Sequence, residues 1–383
     1  MGPLQGVKVI ELLGIGPGPF CATLLADMGA EVLRVERADL VDRVRHPQGF
    51  GVDGRSRRSI GIDLKHPEGH ATMLRLVDQC DALIEGFRPG VMERLGLGPD
   101  ECLAANPRLV YGRMTGWGQD GPLAHAAGHD INYISVAGAL AHFGRAGGPP
   151  TPPLNMMGDY GGGGMFLAFG VVCAVLEARQ SGQGQVVDVA MVDGAAFLMS
   201  PMWGMRAQGG LSDERGTNLL DTGAPFYDTY ETSDGKWISV GALEPQFYAE
   251  LLGRLGIEPA TLGDQNDRAN WPAMRERFTA VFKEKTRDEW CAKLEGTDVC
   301  FGPVLTMGEA AEHPHMKARG TIVEHDGILQ PAPAPRFSRT APEIQGPARA
   351  PGADTDAILA DFGFASDEIA ALAEAGAVRQ KSD

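Results

Sequence analysis

Basic residues are in short supply in this sequence, where 34 lysines and arginines face 50 aspartates and glutamates and leave a net charge of −16. A protein that binds nucleic acid by electrostatic attraction displays a basic stripe, so this balance argues against that function. Disorder is excluded too, because 43% of the residues are hydrophobic and supply enough material for a packed core. The same acidic balance argues, at first sight, against a polyanionic small ligand.

Cysteines are few and scattered. The six of them form no Cys-x-x-Cys pair, and most have apolar neighbours: Cys21, Cys80, Cys102, Cys173, Cys291 and Cys300. A zinc site or a disulfide framework requires clustered or paired cysteines. We therefore expect buried, reduced thiols in an intracellular protein, and no bound metal.

Targeting and membrane signals are also lacking. The N-terminus has no basic segment followed by an apolar one, and residue 6, which a myristoylation signal requires to be serine or threonine, is Gly6. The longest apolar run, Met165 to Leu176, contains a glycine and is too short to cross a bilayer. The last residues are not a peroxisomal Ser-Lys-Leu signal. The expected location is the cytoplasm, as in a bacterial cytosol, without membrane association.

Strands and helices alternate through the first half of the chain, which predicts an α/β fold with a largely parallel, doubly wound sheet. A β-hairpin and amphipathic helices then indicate a smaller α+β domain, and a segment rich in Pro and Ala follows at 330–352. The strands are predicted at 7–12, 31–35, 60–64, 82–85, 108–114 and 186–191, and the helices at 20–28, 66–77, 163–179, 192–206, 246–255 and 271–285.

A glycine-rich turn, Gly14 to Pro19, lies between the first strand and the first helix, with Glu36 twenty residues past Gly16. This arrangement suggests a dinucleotide site. However, Pro19 stands where the third glycine of such a motif belongs, and proline removes a backbone N–H that would hold the pyrophosphate. A structural turn is therefore favoured over a nicotinamide site.

A locally basic stretch runs from Arg34 to Lys65 and carries a charge of +3 in the acidic chain. Guanidinium groups match phosphate oxygens, so a phosphate site is one interpretation. A solvated face with local ion pairs is the other. The cations of this stretch are Arg34, Arg37, Arg43, Arg45, Arg55, Arg57, Arg58 and Lys65.

Two further residues stand out as candidates for acid–base chemistry. His129 lies between a glycine and a predicted helix, where a polar residue needs a reason. Asp159 precedes four consecutive glycines, Gly161 to Gly164, and a long apolar helix. An aspartate that caps the helix is the simple explanation, but four glycines exceed what capping requires and allow a ligand or another backbone to approach.

With these residues laid out, the chain resembles the family III CoA-transferases and, within them, the alpha-methylacyl-CoA racemases. The order and spacing of the matching motifs carry the resemblance over most of the chain. They lie at residues 6–12, 14–19, 84–90, 93–98, 113–119, 128–133, 158–164, 242–247 and 333–338.

The resemblance implies a large CoA-binding domain with a Rossmann-like core (residues 1–190), a linker helix (191–224) and a smaller α+β domain (225–325). A return linker and C-terminal helices that pack on the large domain would complete the chain (326–383). Two such chains would interlock as a homodimer. No cofactor is implied beyond the coenzyme A moiety of the substrate, and no metal.

The resemblance also implies a racemase of fatty acid metabolism, which interconverts (R)- and (S)-2-methylacyl-CoA thioesters by 1,1-proton transfer through an enolate. His129 and Asp159 would be the catalytic acid–base pair, and Glu244 would orient the histidine. Inversion of a carbon next to a thioester indeed requires a base on one face and an acid on the other. We expect backbone N–H groups at the start of the Asp159 helix to stabilise the enolate oxygen.

By the same resemblance, residues from six segments would contact the acyl-CoA substrate. The methionines Met191, Met199, Met202 and Met205 resemble the acyl-binding surface of these racemases, although a helical core explains them equally well. The expected substrate contacts are Arg37, Ile62, Asp63, Leu64, Lys65, Gly86, Phe87, Arg88, Arg94, Gly128, Asp130, Ile131, Asn132, Tyr133 and Asn155.

Two other functions stay open. A CoA-transferase of the same family moves CoA between carboxylic acids, with Asp159 as a nucleophile that forms a mixed anhydride and then a thioester. Such an enzyme does not need His129 or Glu244. A non-catalytic acyl-CoA-binding protein would need none of the three residues.

Overall fold

The computed structural model describes residues 2–12, 14–43 and 51–381. Arg45, one of the cations of the basic stretch, lies outside this part of the chain. The chain forms two compact units. Met1–Ala137, Leu154–Leu198 and Gly320–Asp383 make the first, and Gly138–Pro153 and Met199–Arg319 make the second.

The first unit is built around a seven-stranded sheet with strand order β12-β3-β2-β1-β4-β5-β6. All neighbouring strands are parallel except β12, which runs antiparallel to β3. The predicted doubly wound parallel sheet is therefore confirmed. Its strands are β1 Lys8–Leu12, β2 Glu31–Arg37, β3 Arg58–Ile62, β4 Ala82–Glu85, β5 Val110–Thr115, β6 Gln185–Ala190 and β12 Val378–Arg379.

Several helices of this unit begin at a proline, a residue that the first helical turn accepts because its N–H groups have no partner within the helix. A hairpin, β10 Ile322–His325 with β11 Ile328–Pro331, lies apart from the large sheet. The helices are α1 Pro17–Asp27, α2 Pro67–Val77, α3 Val91–Arg94, α4 Pro99–Ala105, α5 Asp130–Val136, a π-helix Met156–Gly164, α6 Met165–Ser181, α7 Met191–Leu198, α14 Thr355–Asp361 and α15 Ser366–Glu374, with 3₁₀ turns at Ala38–Leu40 and Val52–Gly54.

Each central strand contributes to two cores, because consecutive side chains of a strand point to opposite faces of the sheet. Val9 of β1 lies in the core that contains residues of α1 and α6. Its neighbour Ile10 lies in the core on the other face, together with residues of α2 and with Ile358 and Leu372 of the C-terminal helices. Burial on both faces explains why consecutive residues of these strands, such as Val9 and Ile10, are apolar.

The second unit contains a three-stranded antiparallel sheet, β7-β8-β9, packed with helices around its own aromatic core. The predicted hairpin is its β7–β8 pair, in which Tyr227 is opposite Gly241. The elements are α8 Ser200–Ala207, β7 Tyr227–Glu231, β8 Trp237–Gly241, α9 Pro245–Leu255, α10 Trp271–Phe282, α11 Arg287–Leu294, β9 Phe301–Val304, α12 Met307–Glu312 and α13 Pro314–Arg319, with 3₁₀ turns at Leu140–His142, Pro259–Thr261 and Arg268–Asn270.

The unit boundaries differ from the predicted domains in several places, and residues 320–325, predicted in the smaller domain, belong to the first unit. Residues 138–153 belong to the second unit, where Arg145 forms an ion pair of 2.5 Å with Asp228 and Arg215 donates to the Ala141 carbonyl. Residues 191–198, expected in a linker helix, belong to the first unit. They form α7, which packs on the π-helix backbone to backbone.

The π-helix and α6 form one continuous run, Met156–Ser181, which begins seven residues before the predicted helix at 163–179. The four glycines Gly161 to Gly164, which were expected to leave room for a ligand or another backbone at the helix start, are themselves part of the helical run. Among the described residues, this run is the one helix long and apolar enough to cross a membrane, with a mean hydropathy of 1.7. Half of that stretch is buried, and core helices meet the same criteria.

We expect Gly194→Ala in α7 to destabilise the protein by at least about 2 kcal/mol, because an overpacked contact between backbones has no flexible side chain that can move. The added Cβ would lie 1.9 Å from the Gly162 carbonyl oxygen. Urea unfolding followed by circular dichroism measures the change. Gly253→Ala in α9 is the matched control, since no atom lies within 4 Å of its Cβ. A Gly194→Ala variant as stable as that control would contradict the close contact.

Candidate active site

The first cavity lies at the carboxyl ends of β1, β4 and β5 and has a volume of about 540 Å³. In a doubly wound sheet, ligands bind where the strand order reverses, which here is between β1 and β4. The lining comprises Glu11, Leu12, residues 14–18, 84–89, 114–117 and 126–129, and Ala124, Tyr133, Asn155, Asp159, Tyr160 and Met191.

Asp159 lies half-buried in the first turn of the π-helix and lines this cavity. The side chain of Asn155 donates from Nδ2 to Asp159 Oδ2 at 3.0 Å. The glycine-rich turn is also close: a Cβ on Gly16 would lie 3.1 Å from the same oxygen, and Gly16 has a φ of +70°. Glycine is therefore favoured there both by space and by backbone conformation. The turn is part of the site.

The surroundings of Asp159 raise the pKa of its carboxyl group above the ordinary value. Burial is the largest cause, and the negative charge of Asp130 adds to it. The hydrogen bond from Asn155 and the charge of His129 act in the opposite direction. A raised pKa brings a carboxyl group closer to the range in which it both gives and takes a proton near neutral pH.

His129 lines the same cavity from the N-cap of α5. Its backbone N–H donates to Asn132 Oδ1 at 3.0 Å, which fixes the start of the helix. Tyr133, one turn further, donates its hydroxyl hydrogen to the Gly128 carbonyl and so holds the loop before His129. The structure thus brings the two residues predicted as an acid–base pair to one cavity.

A second cavity of about 780 Å³ lies at the carboxyl ends of β1, β2 and β3. Leu12 and Phe87 line both cavities, so the two adjoin. Seven of the predicted substrate contacts line this second cavity: Arg37, Ile62, Asp63, Leu64, Lys65, Phe87 and Arg94. The first cavity holds Gly86, Phe87, Arg88, Gly128, Tyr133 and Asn155 of the same set.

The basic stretch is mostly structural. Arg34 pairs with Glu36, Arg55 with Asp27 and Arg57 with Glu11, all with both side chains buried. Arg58 pairs with Glu31 and Asp361. These four cations therefore form ion pairs, as one interpretation expected, but three of the pairs are buried and do not form the solvated face that it also expected. Among the described cations of the stretch, Arg37 and Lys65 line the second cavity. Arg37 is itself paired with Asp39 at 3.0 Å, whereas Lys65 has no ion-pair partner among the described residues.

Asp130, predicted to contact the substrate, does not line either cavity. Its side chain is buried, and its Oδ2 accepts the backbone N–H groups of Gly158 at 2.6 Å and Asp159 at 2.8 Å. Among the amides at the start of this helix, which were expected to stabilise an enolate oxygen, these two are not free for that role because they donate to Asp130.

Three other predicted residues also lie outside the two cavities. Ile131 and Asn132 are exposed in the first turn of α5. Glu244 is exposed in the second unit, at the N-cap of α9. Its role toward His129 stays a prediction.

Two buried carboxylates that line the first cavity escaped the sequence analysis. Glu11 forms a 2.6 Å ion pair with Arg57, and Glu85 accepts from Arg113 Nε at 2.9 Å and from the Phe87 amide at 2.7 Å. Burial raises the pKa of Glu85, while the Phe87 amide and Arg113 lower it. For Glu85, the signal available in the sequence was an acidic residue at the end of an apolar strand, directly before Gly86.

No group of three or more His, Cys, Asp and Glu side chains suited to a metal ion occurs in the described ranges. Each of the six cysteines is a free thiol, but only half of them are fully buried as expected. Cys173 and Cys300 are exposed, and Cys291 is half-buried.

The chain belongs to CoA-transferase family III, whose family model matches residues 4–356. It is 45% identical over 372 residues to the alpha-methylacyl-CoA racemase of Mus musculus, which covers 96% of both chains. It is 33% identical over 390 residues to the succinyl-CoA–D-citramalate CoA-transferase of Chloroflexus aurantiacus, which covers 97% of this chain and 96% of that one.

The fold agrees with this membership. The crystal structure of a CAIB/BAIF family protein from Brucella suis superimposes with a TM-score of 0.81 at 27% identity, over 94% of this chain and 99% of the other. The resemblance drawn from the sequence motifs is thereby confirmed for the family and for the α/β fold.

We expect Asn155→Leu to raise the pKa of Asp159 further, because the variant removes a hydrogen bond that favours the charged carboxylate. The carboxyl group then keeps its proton to a higher pH. Carbon-13 NMR of aspartate-labelled protein, with Asp159→Asn to assign the signal, measures the titration. A midpoint that stays in place or falls would show that Asn155 does not stabilise the carboxylate.

Proposed function

We propose that the chain is an alpha-methylacyl-CoA racemase, a homodimeric cytoplasmic isomerase of fatty acid metabolism that interconverts (R)- and (S)-2-methylacyl-CoA. One observation carries the proposal: His129 and Asp159 line one cavity at the switch point of the sheet. The 45% identity to a racemase over 96% of both chains supports it. A CoA-transferase needs the aspartate alone, whereas a racemase needs both residues.

In this mechanism one member of the pair removes the α-proton of the thioester and the other returns a proton to the opposite face. His129 and Asp159 exchange these roles between the two enantiomers, so the pair carries one proton in total. The raised pKa of Asp159 supports this exchange, because it makes the pKa of the carboxyl group more similar to that of an ordinary imidazole. Glu244 is proposed to orient His129, on the resemblance alone.

The adjoining cavities suit the two ends of a CoA thioester. Lys65 and Arg94 line the second cavity without an ion-pair partner among the described residues, so their charge is available to phosphate groups. Leu12 and Phe87, at the junction, offer apolar surface to the part of the ligand that joins the two cavities. We place the nucleotide end in the second cavity and the thioester in the first.

A cavity in the second unit supports the interpretation of the methionines as an acyl-binding surface. Met199, Met202 and Met205 line a cavity of about 610 Å³ together with Leu211 and Leu220. No residue of α8 is buried within this unit, which disfavours the helical-core explanation of these methionines. Flexible thioether side chains adapt to acyl groups of different shape.

The test is to incubate one enantiomer of a 2-methylacyl-CoA with the protein in D₂O, without an acceptor acid, and to follow epimerisation and α-deuterium by chiral chromatography and mass spectrometry. We expect both with the native chain. His129→Ala and Asp159→Ala should each lower the rate by at least about 100-fold, since each removes a general acid–base group. Exchange that survives in both variants would refute the assignment of the pair.

The CoA-transferase stays a second candidate, because the Chloroflexus relative covers nearly the whole chain at 33% identity. Adding an acceptor acid to the same assay separates the two. Thioester transfer that requires the acceptor, without α-deuterium, would identify a transferase with Asp159 as nucleophile. Binding of the thioester without exchange or transfer would identify a non-catalytic acyl-CoA-binding protein.

An apolar stripe on α6 supports the proposed homodimer. Met165, Phe169, Val172 and Leu176 recur at helical spacing, and each is exposed, Phe169 by 71%. Such a stripe on one chain needs cover. The family resemblance identifies the cover as a second copy, whereas a membrane surface is the competing partner.

We expect the native protein to have twice the mass of one chain in multi-angle light scattering, and Phe169→Asp to shift it toward the monomer, since a charge in an apolar interface loses its hydration. Met307→Asp is the control, because Met307 is exposed by 91% on α12 and is not part of the stripe. A monomeric native protein, or vesicle binding that Phe169→Asp abolishes, would contradict the dimer.

A further inference from the structure

The side chain of Asp130 connects the two elements that carry the proposed acid–base pair. Asp130 follows His129 directly in the chain and begins α5. Its Oδ2 accepts the N–H of Gly158 at 2.6 Å and the N–H of Asp159 at 2.8 Å. One carboxylate oxygen thus joins the residue next to His129 to the backbone of Asp159 itself.

The hydrogen bonds leave little freedom at this junction. The first N–H groups of a helix have no partner within it, and Asp130 supplies one for two of them from outside the π-helix. Gly158 is required at this point, because a Cβ there would lie 2.6 Å from Asp130 Oδ2. A larger residue at position 158 would therefore displace the Asp130 side chain from its hydrogen bonds.

This arrangement lowers the stability of the fold. Asp130 is only 4% exposed, and its second oxygen, Oδ1, has no hydrogen-bond partner among the described residues. A buried carboxylate oxygen without a donor is unfavourable. Features of this kind in a folded protein point to a functional reason for the residue.

We propose that Asp130 is a positioning residue that fixes Asp159 relative to His129 and so sets the geometry of proton transfer. This inference rests on the proposed acid–base function of that pair. Asp130 does not line the cavity, so it acts through the backbone of Asp159 rather than on the substrate.

The charge of Asp130 also acts on Asp159. The titratable groups that face the Asp159 carboxyl are Asp130 and His129, with the Tyr133 hydroxyl group within electrostatic reach. Asp130 raises the pKa of Asp159 and His129 lowers it. Removal of the Asp130 charge therefore lets Asp159 stay ionised to a lower pH.

Two variants of Asp130 separate positioning from a general structural role. Asp130→Ala removes both hydrogen bonds and should lower kcat for α-deuterium exchange by about 100-fold with little change in KM, the effect of a misplaced catalytic group. Asp130→Asn keeps an oxygen acceptor and should recover most of that loss. It should also move the acidic limb of the pH–rate profile to lower pH.

Gly158→Ala approaches the same contact from the other side. It should reproduce the loss in Asp130→Ala, and the double variant should lose no more than either single one, because both act through one contact. Asp81→Asn is the matched control. Asp81 also accepts a backbone N–H, from Lys8 at 2.8 Å at the amino end of β1, and this variant should keep native kcat and the native pH profile.

Several outcomes would overturn the inference. A raised KM with native kcat would make Asp130 a ligand contact. Native kcat and an unshifted acidic limb in both Asp130 variants would leave it no role, and an Asp81→Asn loss equal to that of Asp130→Ala would make the effect a general one.

Failure of the proposed function can be told apart from failure of the positioning role. Absence of exchange in the native protein would refute the racemase. The NMR titration of Asp159 still tests the coupling in that event, because Asp130→Asn must lower its midpoint. A native midpoint in that variant would refute the coupling whatever the reaction.

Discussion

The arrangement of the site depends on one constraint, the close approach of backbones around the π-helix. Its last glycines contact α7 on one side and α1 on the other: a Cβ on Gly162 would lie 2.6 Å from the Ala195 amide nitrogen, and one on Gly164 would lie 2.8 Å from the Pro17 carbonyl. Asp159 comes just before these contacts and meets the glycine turn that leads into α1. Its position therefore follows from helix packing together with the hydrogen bonds that the Gly158 and Asp159 amides donate to Asp130.

Two buried ion pairs lie at the wall of the first cavity. Glu11 with Arg57 and Glu85 with Arg113 occupy the carboxyl ends of strands that also line the first cavity. Such pairs lose hydration when buried and contribute little net stability, but loss of one partner leaves a charge without compensation. They hold the strand ends and the loop at Phe87 in fixed positions beneath the ligand site.

The strands, the parallel sheet and the glycine turn could be predicted from the sequence, because apolar runs bounded by turn residues reflect local rules. The arginines could not be assigned in this way. Arg55 and Arg57 find their partners 28 and 46 residues away, a pairing that local charge does not reveal. The start of the π-helix was missed because a glycine-rich sequence locally favours a loop, whereas close backbone packing in the fold requires these glycines within a helix. The direction of the Asp130 side chain depends on the same packing.

The meeting of the two cavities at Leu12 and Phe87 has an evolutionary consequence under the proposed function. The CoA moiety, which all CoA thioesters share, would bind in the second cavity, and the variable acyl group would extend from the first. Substitutions around the acyl group could then change the reaction without changing the binding of the CoA moiety. Such a division of labour accounts for one family that contains both racemases and transferases, since binding energy from the unreactive end serves either reaction.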